Sequence, residues 1–152
     1  MTLYLAVKFL HILLAIAAVG FNASYAIWLV RARNHPEHLD FALKGVKFMD
    51  DYIANPAYIG LFVTGLAMVL LLPWNLLHSF WLEAAIVLWA LAMLLGYGVY
   101  TPTLSRQIKV LASKGAKDEQ YRWLDQRAQR VGPALGVIVL VIVGLMVFKP
   151  TF

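Results

Sequence analysis

Four long apolar stretches limit what this sequence can fold into. They cover residues about 3–30, 57–72, 81–100 and 131–148. A helix needs about 20 mostly apolar residues to cross a bilayer, so each stretch is long enough, or nearly so, to span one. Only 14% of the residues are charged, against about a quarter in soluble domains. We therefore predict an all-α fold, a four-transmembrane-helix up-down bundle that forms a single integral membrane domain over residues 1–152.

Prolines stand at the ends of the second and third stretches. Pro56 opens the second, Pro73 closes it, and Pro102 follows the third. Because proline lacks the N–H of the helical ladder and restricts the residue before it, these positions predict helix ends. For the first stretch a cleaved signal peptide is the competing interpretation, since Ala15-Ile16-Ala17 is similar to a cleavage site. We favour a retained helix, because the arginines follow the apolar run instead of preceding it.

The segments between the stretches have patterns of their own. Over residues 36–53 apolar residues recur at helical spacing, opposite i,i+4 charge pairs, which predicts a cytoplasmic amphipathic segment. It could lie on the membrane surface or extend the second span with a kink at Pro56. Residues 105–130 indicate two polar helices broken at Gly115. Residues 73–80 contain no Lys, Arg, Asp or Glu and predict a tight hairpin between the second and third spans.

Basic residues are distributed unevenly along the chain. Of the 13 Lys and Arg residues, all but Lys8 and Lys149 lie in the two long segments after the first and third spans. Cytoplasmic loops carry the excess of Lys and Arg, so the sequence predicts both long segments in the cytoplasm and both termini outside it. The formal net charge of +5 is then a consequence of topology. No basic patch interleaved with aromatics indicates a nucleic-acid partner.

Several kinds of chemistry are excluded or unsupported. The chain has no cysteine, which excludes thiolate catalysis, disulfide chemistry and cysteine-ligated metals. Nothing is similar to a nucleophile elbow, a phosphate loop or the paired carboxylates of a hydrolase. Polar residues inside the spans are therefore the main candidates for function.

A polar stripe runs along the first span. At 100° per residue one face carries Lys8, His11, Ala15, Ala18, Asn22 and Tyr25. Hydrocarbon offers these groups no hydrogen-bond partner, so the stripe should face the bundle interior. His11 could be a cofactor or metal ligand, or a hydrogen-bonded structural residue. Glu83, close in depth near the outer end of the third span, could pair with Lys8 or His11, or could simply face water.

The first span also carries a motif. The run Val7-Lys8-Phe9-Leu10-His11-Ile12, followed by Gly20, resembles the first helix of a bacterial family of predicted integral membrane proteins of unknown function. Trp81-Leu82-Glu83 and Gly96-Tyr97-Gly98 in the third span extend the resemblance over nearly the whole chain. The resemblance implies a location in the bacterial inner membrane.

The same opening, Lys-x-Leu-His-Ile, is similar to two better understood groups, the HemJ-type protoporphyrinogen oxidases and the copper-resistance D-type membrane domains. In the HemJ type the first-helix histidine is a haem ligand and a lysine early in the third helix is required. His11 matches that histidine, whereas Glu83, Ala84 and Ala85 stand where the lysine would be. The resemblance implies haem b bound through His11, with Lys8 near the propionates. Candidates for a second axial ligand are Met93, His78 and Met68.

Three functions stay open at this point. The first is a haem membrane protein in electron transfer or a tetrapyrrole-related redox step, with the cofactor near Lys8, His11, Asn22, Tyr25 and Glu83. The second is a non-catalytic scaffold or subunit that packs against a second copy or another membrane protein. The third is a copper or small-molecule handling domain in which His11 binds the metal. All three place the chain in a lipid bilayer.

Overall fold

The computed structural model describes residues 2–71 and 79–150, and within these ranges it contains helices and no strand. The α-helices are α1 (Thr2–Arg33), α2 (Leu39–Met49), α3 (Asn55–Leu71), α4 (Phe80–Leu95), α5 (Thr101–Lys114) and α6 (Glu119–Phe148). Two π-helical segments, π1 (Asp50–Ala54) and π2 (Gly96–Tyr100), join α2 to α3 and α4 to α5. The chain therefore forms four long helical rods, and the predicted all-α, four-helix fold is confirmed.

The rods are longer than the spans expected from the sequence, because the polar segments continue the apolar helices. The rods cover Thr2–Arg33, Pro36–Leu71, Phe80–Lys114 and Glu119–Phe148. Of the two placements open for the amphipathic segment, extension of the second span is the one observed. Its apolar face, with Leu39, Leu43 and Val46, is buried against the other helices.

Two prolines that were expected to end spans lie inside continuous rods. Pro56 and Pro102 each stand two residues after the last residue of a π segment, π1 and π2 respectively. The N–H of Asn55 bonds to the carbonyl of Asp50, and that of Thr101 bonds to Gly96, each five residues back. A proline deprives a helix of one N–H donor, and a π segment changes the local bonding pattern at the same place. The rods therefore pass the prolines instead of ending at them.

The four rods pack as two pairs that are held together at one end. We call this the loop end, where α1 meets α2 and α5 meets α6; the other is the terminal end, near Thr2 and Phe148. α1 packs along α3, and α4 packs along α6. The main core lies at the loop end, where α2 and α5 fill the space between the pairs.

Towards the terminal end the two pairs separate. Among the described residues the backbones of α3 and α4 hardly touch, so the tight packing expected of this hairpin is not seen. The turn itself, with Pro73 and His78, lies outside the described residues. The two pairs enclose the cavities in which the polar residues of the first span are found.

All four rods are long and apolar enough to cross a membrane. Large apolar side chains are exposed on every one of them, including Phe9, Leu70, Leu94 and Phe148. On a soluble protein such continuous apolar surface would mark an interface, whereas in a bilayer it contacts lipid. The protein is therefore described as an integral membrane bundle.

Candidate functional site

A large apolar cavity separates the two helix pairs in their terminal half. Its volume is about 720 Å³, and α1, α3, α4 and α6 all contribute to its wall. Small residues in the wall, among them Ala15, Gly65 and Ala85, leave the space open because they have little or no side chain. His11 lines the same cavity. A cavity of this size is in the range of small-molecule and cofactor sites, about 300–1,000 Å³.

His11 is held by Thr64 on the neighbouring helix. The distance from His11 Nδ1 to Thr64 Oγ1 is 2.7 Å. The Thr64 hydroxyl donates to the Gly60 carbonyl, 2.7 Å away, and a hydroxyl engaged in this way can accept from a ring N–H at Nδ1. In that tautomer the lone pair would be on Nε2. A histidine oriented by a hydrogen bond from its other nitrogen is the form that binds a metal.

Two glycines of α3 allow α1 to approach closely enough for this hydrogen bond. A Cβ on Gly65 would lie 3.4 Å from His11 Cε1, and a Cβ on Gly60 would lie 2.9 Å from Leu14 Cδ1. Small residues in membrane helices permit such close packing. The spacing of Gly60 and Thr64 predicts packing, and the structure adds that Thr64 binds His11.

Two aromatic side chains and a methionine in the cavity wall also bear on ligand binding. Trp89 stacks on Phe62, with ring centroids 4.5 Å apart and planes 18° apart, and its Nε1 donates to the Tyr58 carbonyl at 3.2 Å. Met146 of α6 also lines the cavity. Met93, one of the methionines considered as a second ligand, instead lines a separate polar space.

Met146 and His11 lie at nearly the same height in the bundle. An ion pair joins Arg33 on α1 to Asp125 on α6 at 3.1 Å and fixes the register of these helices. His11 is 22 residues from Arg33, and Met146 is 21 residues from Asp125. At 1.5 Å per residue both lie about 32 Å above the ion pair.

Lys8 and Glu83 are both exposed near the terminal end. Each lies 17 residues from the stacked rings of Tyr25 and Tyr100, which is consistent with similar heights for the two side chains. In the described part of the chain Glu83 forms no ion pair with Lys8 and no hydrogen bond with His11. The structure brings them to one level without bringing them together.

Asn22 belongs to a second space, which we call the polar chamber, and Tyr25 packs against one of its lining residues. The chamber lies between π1 and π2, has a volume of about 20 Å³, and is lined on its polar side by Asn22, Asp50, Asn55, Tyr58, Tyr97 and Tyr100. The Asn22 amide donates to the Tyr58 hydroxyl. Tyr25 stacks on Tyr100 at 6.5 Å, and its buried hydroxyl has no hydrogen-bond partner in the described part of the protein. The polar stripe of α1 is thus divided between two sites, and Tyr58 lines both.

Asp50 is the residue of this chamber that sequence reasoning missed. It is 5% exposed and accepts from Thr101 Oγ1 at 2.7 Å and from Asn55 Nδ2 at 3.4 Å. A signal was present in the spacing: Asp50 follows the buried Val46 by four residues and therefore continues the apolar face of α2. Its neighbour Asp51 instead pairs with Lys47 on the outside.

The comparisons with known proteins identify one family. The family described as "Predicted integral membrane protein (DUF2269)" matches residues 5–150, which is nearly the whole chain. No curated protein and no solved structure matches the chain. These comparisons do not support the expected similarity to the HemJ-type oxidases or the copper-resistance D-type domains.

Proposed function

The chain belongs to the DUF2269 family of predicted integral membrane proteins, and on that premise we propose that its apolar cavity binds a b-type haem for electron transfer, with His11 as an axial ligand. The observation that carries the proposal is the position of His11. It lines a cavity of cofactor size, and its Nδ1 lies 2.7 Å from Thr64 Oγ1, so a proton on Nδ1 would leave Nε2 as a donor to iron.

The residues of the cavity fit a large flat apolar ring. Small side chains on three helices open the space, and the Trp89–Phe62 stack offers an aromatic surface against which a macrocycle can pack. A bound haem supplies an iron centre that accepts and releases one electron, with a potential that depends on its axial ligands and its burial.

Three further residues would have defined roles in this site. Thr64 orients the His11 imidazole and raises its basicity through the Nδ1 hydrogen bond. Met146, at the height of His11 in the same wall, would be the second axial ligand. Lys8 lies one turn from His11 towards the terminal end and is exposed, so its ammonium group would pair with the propionates. We leave Asn22, Tyr25 and Glu83 out of the haem site, because none of them lines the apolar cavity.

The arrangement favours haem over a free metal ion bound by side chains alone. Within residues 2–71 and 79–150, no three side chains of His, Asp or Glu come close enough together to hold a metal. Structural and transport sites for copper or zinc usually draw on three or four such donors. Haem iron takes four donors from its own macrocycle and needs only one or two from the protein, which His11 and Met146 could supply.

An absorption spectrum tests the proposal directly. Protein purified from cells supplied with a haem precursor should show a Soret band, and His11→Ala should lose the band because it removes the axial nitrogen. Met146→Leu should keep the pigment and shift its absorption maxima, since it removes only the second ligand. His35→Ala and His38→Ala are matched controls, because both imidazoles are exposed at the loop end, with side chains 64% and 72% accessible.

Three other results would overturn the proposal. A colourless wild-type protein without stoichiometric metal would make His11 a hydrogen-bonded packing residue and favour a scaffold role. Stoichiometric copper without haem would favour metal handling. A Soret band of equal strength in the His11→Ala variant would place the haem elsewhere.

A further inference from the structure

Asp50 is a buried carboxylate that no basic side chain neutralises in the described part of the protein. It lies in π1, at the bottom of the space between the two helix pairs. Lys47, one turn earlier, is paired with Asp51 and is therefore engaged elsewhere. An isolated charge removed from water is strongly unfavourable. The carboxyl group of Asp50 therefore needs either a cation or a proton.

The polar groups around Asp50 leave oxygen atoms available. Thr101 and Asn55 both donate to Oδ2 of Asp50, so Oδ1 is left without a donor from the described side chains. The amide nitrogens of Asn22 and Asn55 are both engaged, that of Asn22 with the Tyr58 hydroxyl and that of Asn55 with Asp50. Their amide oxygens remain as acceptors.

The size and charge of the chamber fit one small cation. Its volume of about 20 Å³ has room for a single water-sized particle. One carboxylate balances one positive charge, and carboxylate and amide oxygens are the ligands that hard cations prefer. We propose that the polar chamber binds one Na⁺ ion, with Asp50, Asn22, Asn55 and Tyr58 as its oxygen ligands.

The position of the chamber agrees with such a role. It lies where both long rods change from α- to π-helical bonding, and interrupted helices are places where transporters coordinate coupling ions. A proton on Asp50 would also cancel the charge. It would, however, leave the two amide oxygens without a donor from the described side chains. The proposal does not depend on haem, since no residue of the chamber except Tyr58 lines the apolar cavity.

The first test measures stabilisation of the purified full-length protein by Na⁺. The midpoint of thermal unfolding should rise with NaCl concentration and reach a plateau, whereas choline chloride at equal ionic strength should produce no such rise, because a ligand that binds only the folded state stabilises it. Asp50→Asn keeps the shape of the side chain and removes its charge, so the Na⁺-dependent shift should disappear. Asp51→Asn is the matched control, since Asp51 is exposed and paired with Lys47, and it should keep the shift.

A second measurement decides between Na⁺ and a proton and needs no folded variant. Equilibrium dialysis with radioactive ²²Na⁺ should give one bound ion per wild-type chain, displaced by unlabelled NaCl and not by choline chloride. Infrared spectra in saturating NaCl should lack the C=O stretch of a buried carboxylic acid. No bound ²²Na⁺, or a carboxylic-acid band that persists in NaCl, would overturn the proposal and assign a proton to Asp50.

Discussion

At the scale of single residues, the hydrogen bond between His11 and Thr64 determines what the apolar cavity can bind. Hydrocarbon offers no alternative partner to either group, so each depends on the other. Thr64 also bonds back to the Gly60 carbonyl, so its hydroxyl can accept a hydrogen bond from Nδ1 of His11. That tautomer would leave the lone pair on Nε2.

Replacing Thr64 by Val tests this chain of hydrogen bonds. Val keeps the shape of Thr and removes the hydroxyl that lies 2.7 Å from Nδ1 of His11. We expect haem retention to fall by about 10- to 100-fold, the usual effect of losing a group that orients a metal ligand. The free energy of unfolding should also fall by about 1–3 kcal/mol because a buried donor is left unsatisfied. Thr64→Ser keeps the hydroxyl and should behave like the wild type. Equal pigment in the Val and Ser variants would contradict this role.

Single-residue reasoning from the sequence succeeded where one helix carries the whole signal. The stripe of α1 was predicted from periodicity, and in the structure Ala18 and Tyr25 on it are buried. It failed where the partner lies on another helix. Thr64 and Met146 can be found only once the register between helices is known. Asp50 was missed because two adjacent acidic residues, Asp50 and Asp51, usually indicate a solvent-exposed helical turn.

At the scale of elements, the prolines show how much of a helix end can be predicted. A proline removes one donor and restricts its predecessor, and both facts are visible in the sequence. A π segment beside the proline lets the helix continue. Whether it forms depends on the packing of neighbouring helices, so the sequence pattern does not predict it. The predicted ends at Pro56 and Pro102 are therefore wrong as ends. They are right as places where helical bonding changes.

Gly115 marks a break that the sequence did predict. It ends α5 with φ 83° and ψ 172°, a backbone conformation that is essentially restricted to glycine. Three residues later Asp118 caps α6 by accepting from the N–H of Gln120 at 2.9 Å. The turn between α5 and α6 therefore depends on one glycine and one capping side chain.

Substituting Gly115 should weaken the loop end. Gly115→Ala places a Cβ in a strained conformation and should lower the free energy of unfolding by about 1–3 kcal/mol. Gly136→Ala is the matched control, because Gly136 lies inside α6 and a Cβ there would meet nothing within 4 Å. Alanine is preferred over glycine in helices, so this control should be neutral or slightly stabilising. Thermal unfolding followed by circular dichroism measures both, and equal midpoints would contradict the prediction.

At the scale of the whole molecule, the bundle combines a packed end with an open one. The core at the loop end joins all four rods, while the terminal half separates into two pairs around the apolar cavity. The polar chamber lies between these regions and contacts both through Tyr58. The best-packed part of the protein would therefore lie on the loop-end side of any ligand in the cavity.

The direction of the bundle in the membrane follows from its charges. Eleven of the 13 Lys and Arg residues lie in the segments after the first and third apolar stretches, and only Lys8 and Lys149 lie towards the other side. Because cytoplasmic segments carry the excess of positive charge, we expect the loop end in the cytoplasm and the terminal end, with the mouth of the cavity, on the outside. The helices alone do not set the direction, because each of the four rods contains a segment apolar enough to cross a membrane.

The absence of cysteine from the sequence makes this direction simple to measure. Thr2→Cys and Lys117→Cys each place one thiol at an exposed position, the first at the terminal end and the second at the loop end. A membrane-impermeant maleimide added to intact bacterial spheroplasts should label Thr2→Cys, and it should reach Lys117→Cys only after the membrane is permeabilised. The wild-type chain should not be labelled in either case. The reverse pattern would mean that the eleven basic residues face outward, and the cavity would then open towards the cytoplasm.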